Sequence, residues 1–460
     1  MSTSTSSDQR LEPEARTAEP SFAGHGARIG RHVLAVVAVL VLGLGVTVLT
    51  SARPALVLVV GGVALTVGLT LRQPALVPAL AMPAMVLVNR VVGGDGVLSI
   101  SDLVLFLAFW PALLLGARPF SPALRSLLWA SAVYQALTLF TVIVNPYAAN
   151  TVEWFHAWLL VSGALVVGWA VGAGGHARLG LGLLVGVAAC VAVLACVVWV
   201  GEAVQGRFGP VYLEEPLLMH KNYLGGLLAF AAVVVYVRPT WLRWDDAVCL
   251  ALFALFVLGI LASQSRQAML GLAVAVTVVA LRPDPHRRRS RVVLVAVVAA
   301  TVAVLSLVRD QIASGDVHNS ANQRLAWFEQ SIAIWQHDPL FGAGLRWWYT
   351  DRFPERFQPP NAEFEVLSSA GVVGLVGFVL LVVVALVVLW RVDPQFGTLA
   401  FAIVLMRVVQ GQFDLFWVAA QVSIPFAVAG VCLGAQAFAA QHPPRSHGLA
   451  LPEPEQVRGR

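Results

Sequence analysis

The sequence predicts an all-α fold: a polytopic transmembrane helical bundle of about 12–14 spans, with one large extracytoplasmic loop containing amphipathic helices. Three observations predict it. Hydrophobic residues make up 58% of the chain and charged residues 12%, about half the charge of an ordinary soluble domain. The apolar residues come in runs of membrane-spanning length. The basic residues sit one to three at a time between those runs, on alternate sides, as topology signals do.

Taken in order, about fourteen runs span or nearly span a hydrocarbon core of about 30 Å. They fall at 33–50, 54–71, 74–92, 102–117, 122–144, 153–173, 178–200, 222–238, 246–262, 267–281, 292–308, 365–390, 396–410 and 415–438. If the N-terminus is cytoplasmic, the inner loops carry Arg72, Arg118, Arg125, Arg178, Arg238, Arg243, the arginine-rich stretch from Arg282 to Arg291, and Arg391. The outer short loops hold Arg53, Arg90, Arg207, Lys221, Arg266 and Arg407. Both termini are then inside. The resulting division is 1–27 as a disordered cytoplasmic tail, 28–308 as a transmembrane bundle and 309–364 as the large outer loop. Residues 365–440 form C-terminal transmembrane helices and 441–460 a second cytoplasmic tail. The formal charge of +5 is spread too thinly for nucleic-acid binding. Cys190, Cys196, Cys249 and Cys432 lie in apolar runs and form neither a metal-ligand nor a disulfide pattern.

Four polar constellations fall on the outer side. His220-Lys221-Asn222 contains the chain's single lysine at the mouth of a span. Ser263-Gln264-Ser265-Arg266-Gln267 is a polar turn between two spans, where an arginine near membrane depth is costly unless an anion pairs with it. Asn322-Gln323-Arg324 opens an amphipathic helix in which Leu325, Phe328, Ile332 and Trp335 recur at helical spacing, with Asp338-Pro339 as its end. That helix is expected at the membrane surface, with Trp327 and Trp335 near the headgroups. The fourth runs from Pro339-Leu340-Phe341-Gly342-Ala343-Gly344 to Pro359-Pro360-Asn361-Ala362-Glu363-Phe364-Glu365, where two carboxylates guard a span. Each has a plain reading beside the chemical one: a snorkelling cation, a tight turn, a solvated arginine, interfacial decoration.

In this order the segments GRFGPVYLEEPLLMHKNYLGG, ASQSRQAMLG, NQRLAWFEQSIAIWQHDPLFGAGL and PPNAEFEVLSSAGVVGLVGFVLL resemble the O-antigen ligase and polysaccharide polymerase superfamily across roughly residues 200–390. The resemblance implies a metal-independent, inverting glycosyltransferase without cofactor in the bacterial cytoplasmic membrane. It would move a glycan from a polyprenyl-diphosphate carrier to a lipid, glycan or protein hydroxyl on the outer face, in cell-envelope or exopolysaccharide biosynthesis. Its partners would be that lipid-linked donor, the acceptor and membrane lipids. Arg266 and Arg324 match the family's two arginines and are the expected stabilisers of the leaving diphosphate. His220, Lys221, Asn222, Ser265 and Asn361 are expected to bind substrate. The family's histidine before the Asn is replaced by Pro360, which cannot accept a proton. Glu363, about one helical turn away if a helix starts near Asn361, is the expected substitute base, with His318 and His220 as lesser candidates. A flippase or transporter, or a non-catalytic scaffold of an envelope-synthesis complex, are the other classes. Few ionisable residues in mid-span argue against transport.

Overall fold

The computed structural model describes residues 54–89, 99–215, 217–283 and 320–442. The expected spans 33–50 and 292–308, both tails apart from Gln441 and His442, and His318 lie outside the described residues. The chain divides into two compact units, residues 1–68 and 69–460. Most of α1 (Pro54–Arg72) belongs to the first, and the other described helices belong to the second.

These are α2 (Leu76–Ala84), α3 (Ile100–Leu115), α4 (Pro122–Val144), α5 (Ala148–Trp158), α6 (Ala164–Ala173) and α7 (Ala177–Val204). A π-helical turn, Leu159–Gly163, joins α5 to α6 without ending the rod. There follow α8 (Lys221–Val237), α9 (Asp246–Ser263), α10 (Arg266–Leu281), α11 (Ser320–His337), α12 (Ala362–Arg391), α13 (Pro394–Gly411) and α14 (Ala419–Gln441). The described residues form no named strand; a single bridge pairs Leu213 with Met219. Six of the described helical rods are long and apolar enough to cross a membrane, so the fold is an all-α, polytopic membrane bundle.

The rods differ in how much of their surface other helices cover. The α5–α6 rod and α14 are mostly buried, whereas α4, α7, α9 and α12 bury a minority of theirs. The uncovered faces are apolar: Val193, Val197 and Val200 on α7, and Val376, Val379, Val383 and Val387 on α12. Such stripes are unstable in water and ordinary against lipid tails. At the centre, α6 and α14 meet through small residues. A Cβ added at Gly168 would lie 1.9 Å from the Ala427 carbonyl oxygen, and one at Gly434 would lie 2.5 Å from that of Trp169. Backbones this close need glycine, and they bring dispersion contact where no hydrophobic effect operates between helices.

Three expectations change. Of the expected span 74–92, the described residues 74–89 hold only the nine-residue α2, with Pro83 inside it leaving one carbonyl of the ladder without its donor. Arg407 is not in an outer loop but within α13, 1% exposed. The amphipathic stripe on α11 is also rotated: Ser331 and Ile334 are its buried residues, while Leu325 and Ile332 are exposed.

Candidate active site

The large loop is fastened to the bundle by two glycine-containing segments that interlock. Helix α12 breaks at Gly371, whose φ of 64° and ψ of −166° leave helical space. Into that break comes the turn 339–344. Ala343 N–H donates to the Ser368 carbonyl at 3.0 Å and Gly344 N–H to Ser369 at 2.9 Å. In return Val372 N–H donates to Pro339 and Val373 N–H to Leu340, at 2.9 and 3.1 Å. A broken helix at membrane depth is tolerable when protein satisfies the freed groups, and here the loop does so. Gly342 has φ 69°, and a Cβ there would be 2.4 Å from the backbone of Ser369 and Ala370. Thus Pro-Leu-Phe-Gly-Ala-Gly is a plug for the α12 break, beyond the simple turn its glycines imply.

The interlock orients the first half of α12. Asn361 caps it, its Oδ1 accepting from the N–H groups of Glu363 and Phe364 at 3.0 Å each; its Nδ2 donates to the Gln412 carbonyl. The helix therefore starts where the Glu363 expectation requires. Phe364 stacks on Phe328 of α11, and Trp327 stacks on Phe357, which seats the loop helix over this end of α12. Glu363 Oε1 accepts from Gln412 Nε2 at 2.8 Å, and its Oε2 is buried with no hydrogen-bond partner among the described residues. Glu365, 2% exposed, has both oxygens engaged, by Gln358 Nε2 at 2.7 Å and Phe416 N–H at 3.1 Å.

Three cations converge nearby from distant parts of the sequence. Lys221 opens α8, Arg266 opens α10 and Arg324 lies in the first turns of α11. Arg266 and Arg324 both act electrostatically on Lys221. Burial pulls the Arg324 pKa below its ordinary value; Asp414 opposes this and Arg266 adds to it. Asp414 is held by Gln267 Nε2 at 2.6 Å. The loop carrying Asp414 is itself pinned by Arg407, which donates to Gln421 Oε1 at 2.7 Å and to the carbonyls of Leu415 and Phe416. Arg407 is thus a buried structural clamp beneath the cationic cluster.

The remaining expected binding residues are placed as follows. His220 caps α8, its Nδ1 accepting from Asn222 N–H at 3.3 Å. Burial lowers its pKa and Lys221 adds to that, against the opposing pull of Asp414, so the ring is neutral at pH 7. Ser265 is 1% exposed and packs against Gly225, where an added Cβ would be 2.5 Å from that of Ser265. Its Oγ has no hydrogen-bond partner among the described residues.

Sequence reasoning missed four residues that the structure brings together. His156 Nε2 lies 3.0 Å from Asp102 Oδ1, and its Nδ1 lies 3.2 Å from Glu153 Oε2. Arg346, from the large loop, forms a salt bridge with the same Glu153 oxygen. Asp102 also accepts from Ser99 N–H and Ser99 Oγ, each at 2.8 Å, in the capping box of α3. These four side chains and His220 line a cavity of about 350 Å³, with Trp348, Tyr349 and Trp417 on its walls. A signal existed, since buried ionisable residues in membrane helices mark function by default. Near the ends of apolar runs, however, they read as interfacial.

These groups lie at the N-terminal ends of α3, α8, α10 and α12, in the N-terminal half of the α5–α6 rod and near the C-terminal end of α13, which the antiparallel order of the helices brings to one end of the bundle. Residues 250–379 match a family model described as O-antigen ligase. A search of curated proteins found no match. The matched stretch takes in Arg266, Arg324, Glu363 and the interlocked glycines. Residues 250–379 are thus similar to the O-antigen ligase family, which supports the superfamily that the chain's motifs resemble.

Proposed function

We propose that the protein transfers a glycan from a polyprenyl-diphosphate carrier to an acceptor hydroxyl, on the extracytoplasmic face of the cytoplasmic membrane, with both termini inside. The observation that carries this reading is the gathering of Lys221, Arg266 and Arg324 around one place, with Asp414 as a neighbouring carboxylate. Three cations held together repel one another, and a diphosphate relieves that repulsion. As the bond from sugar C1 to the phosphate oxygen breaks, the electron pair goes to the leaving diphosphate. The guanidinium groups of Arg266 and Arg324 stabilise that charge without a metal ion. The acceptor oxygen attacks C1 from the opposite side and its proton goes to Glu363, whose Oε2 has no other partner among the described residues. Glu365 does not serve, since both of its oxygens already hold the loop. Clustering of the charged groups at one end of the bundle favours a surface-facing enzyme over a transporter, which needs polar groups along a route through the membrane.

The test is a deletion strain in which lipid-linked glycans are profiled. Accumulation of polyprenyl-diphosphate oligosaccharide supports transfer, and unchanged levels with a normal envelope overturn it. Purified protein should keep its turnover in EDTA. Loss restored by Mg²⁺ or Mn²⁺ would remove the role given to the arginines.

A further inference from the structure

Two polar regions adjoin each other here, and they differ in charge balance. The cationic cluster sets Lys221, Arg266 and Arg324 against Asp414. The cavity wall sets Arg346 and His156 against two carboxylates, Asp102 and Glu153, joined in a chain from Asp102 through His156 and Glu153 to Arg346. A phosphate would meet those two carboxylates, so the cavity does not suit an anion. It suits a neutral, hydroxyl-rich ligand, because carboxylates accept from hydroxyl groups and aromatic walls cover the apolar face of a sugar ring. The walls supply Trp348, Tyr349 and Trp417 for such a face. The volume of about 350 Å³ lies at the low end of small-molecule sites, roughly 300–1,000 Å³, enough for one sugar residue. His220 joins the two regions: it lines the cavity and feels both Lys221 and Asp414.

We propose that this cavity is a saccharide subsite that takes one uncharged sugar residue, the one next to a diphosphate held at Lys221, Arg266 and Arg324. Its placement beside a donor rests on the transferase reading; its preference for a neutral sugar rests on the cavity alone. His220 then stands at the junction of sugar and diphosphate. The network of Asp102, His156, Glu153 and Arg346 presents fixed acceptors to the ring hydroxyls.

The test uses full-length protein in lipid nanodiscs and two separate probes. Saturation-transfer NMR with methyl glycosides of glucose, galactose and N-acetylglucosamine reads the cavity. Binding of glycan-free undecaprenyl diphosphate reads the cationic cluster. Trp348→Ala should weaken the glycoside signals about fivefold or more and leave diphosphate binding within about twofold. Arg324→Ala should do the reverse. Tyr349→Ala repeats the first arm at a residue that is 50% exposed, so its truncation threatens folding least. Wild-type protein giving no glycoside signal, or Trp348→Ala and Tyr349→Ala each weakening both probes equally, overturns the subsite. If glycoside signals are lost in Trp348→Ala but wild-type protein fails to bind undecaprenyl diphosphate, the sugar site stands and the transferase reading falls.

Discussion

Replacing Arg324 with alanine should produce two effects of opposite sign. In the unliganded protein Arg324 is partly buried beside another guanidinium, with burial and Arg266 disfavouring its charge and Asp414 favouring it. Removing it relieves the cost of burying the charge and the repulsion by Arg266 but gives up the attraction of Asp414, so thermal stability should stay level or rise slightly; a partly exposed charge of this kind is worth about 1 kcal/mol or less. The transition state loses a donor aimed at developing phosphate charge. Loss of one such donor costs about 2.7–4 kcal/mol, or roughly 10²–10³ in kcat. Arg324→Lys should recover part of this, since an ammonium keeps the charge but not the bidentate geometry. Because Arg266 and Arg324 interact, the double alanine variant should fall short of the product of the single effects. The assay is transfer from a synthetic polyprenyl-diphosphate glycan by purified protein, with melting in detergent measured alongside. Turnover within about threefold of wild type, at unchanged melting temperature, would show Arg324 to be an ordinary loop arginine.

Glu363→Gln should lower turnover by roughly 10²–10⁴-fold and keep donor binding, whereas Glu365→Gln should mainly lower the melting temperature. The amide can accept from only one of its two present donors, leaving a buried group unpaired at a cost of about 1–3 kcal/mol; survival of turnover in Glu363→Gln would remove that residue as the base. Gly371→Ala and Gly342→Ala should each cost at least about 1–2 kcal/mol from left-handed backbone alone, with a backbone clash in addition. Gly186→Ala, inside α7 with nothing within 4 Å, is the contrasting control in the same melting assay and should be level or stabilising by up to about 1 kcal/mol. His220 has its pKa lowered from 6.5 by burial, so below about pH 6.5 the unfolded chain takes up a proton that the folded chain resists. Its contribution to stability is present above that pH and is lost as pH falls through the folded-state value. The fall in melting temperature from about pH 7 to pH 5 should therefore shrink in His220→Asn, whose amide oxygen also caps a helix; an equal fall would refute this.

Most helix positions were legible because membrane helices are written as continuous apolar runs. The run 122–144 corresponds to α4, Pro122–Val144, and the polar breaks at His220, Ser265 and Asn361 mark the starts of α8, α10 and α12. Where the reading failed, local backbone chemistry or a tertiary partner accompanied the difference. The run 74–92 is apolar enough to span, yet its described residues hold a nine-residue helix with a proline inside it. Leu325 and Ile332 fit an apolar stripe, but the stacking of Trp327 and Phe328 on Phe357 and Phe364 selects the face that packs. Asp102, Glu153, His156 and Arg346 were not legible as a site. Asp102 and Glu153 lie in different helices and Arg346 in the large loop, so no local spacing links them.

The same loop segment performs two tasks at once. Its glycines fill the break in α12, and the next residues carry Arg346 to Glu153. The break gives the first half of α12, with Glu363, a direction separate from the apolar second half, which starts after Gly371. The Arg346–Glu153 pair closes the cavity wall. Docking of residues 339–346 therefore sets the aim of the candidate base and the shape of the candidate sugar site together. A perturbation of either contact should disturb both. The backbone hydrogen bonds of the interlock exchange donors in both directions, so the segment cannot slide by one residue without orphaning several buried groups at once. That mutual satisfaction explains why the glycine-containing turn and the Ser-Ser-Ala-Gly break belong together as one device that positions the site.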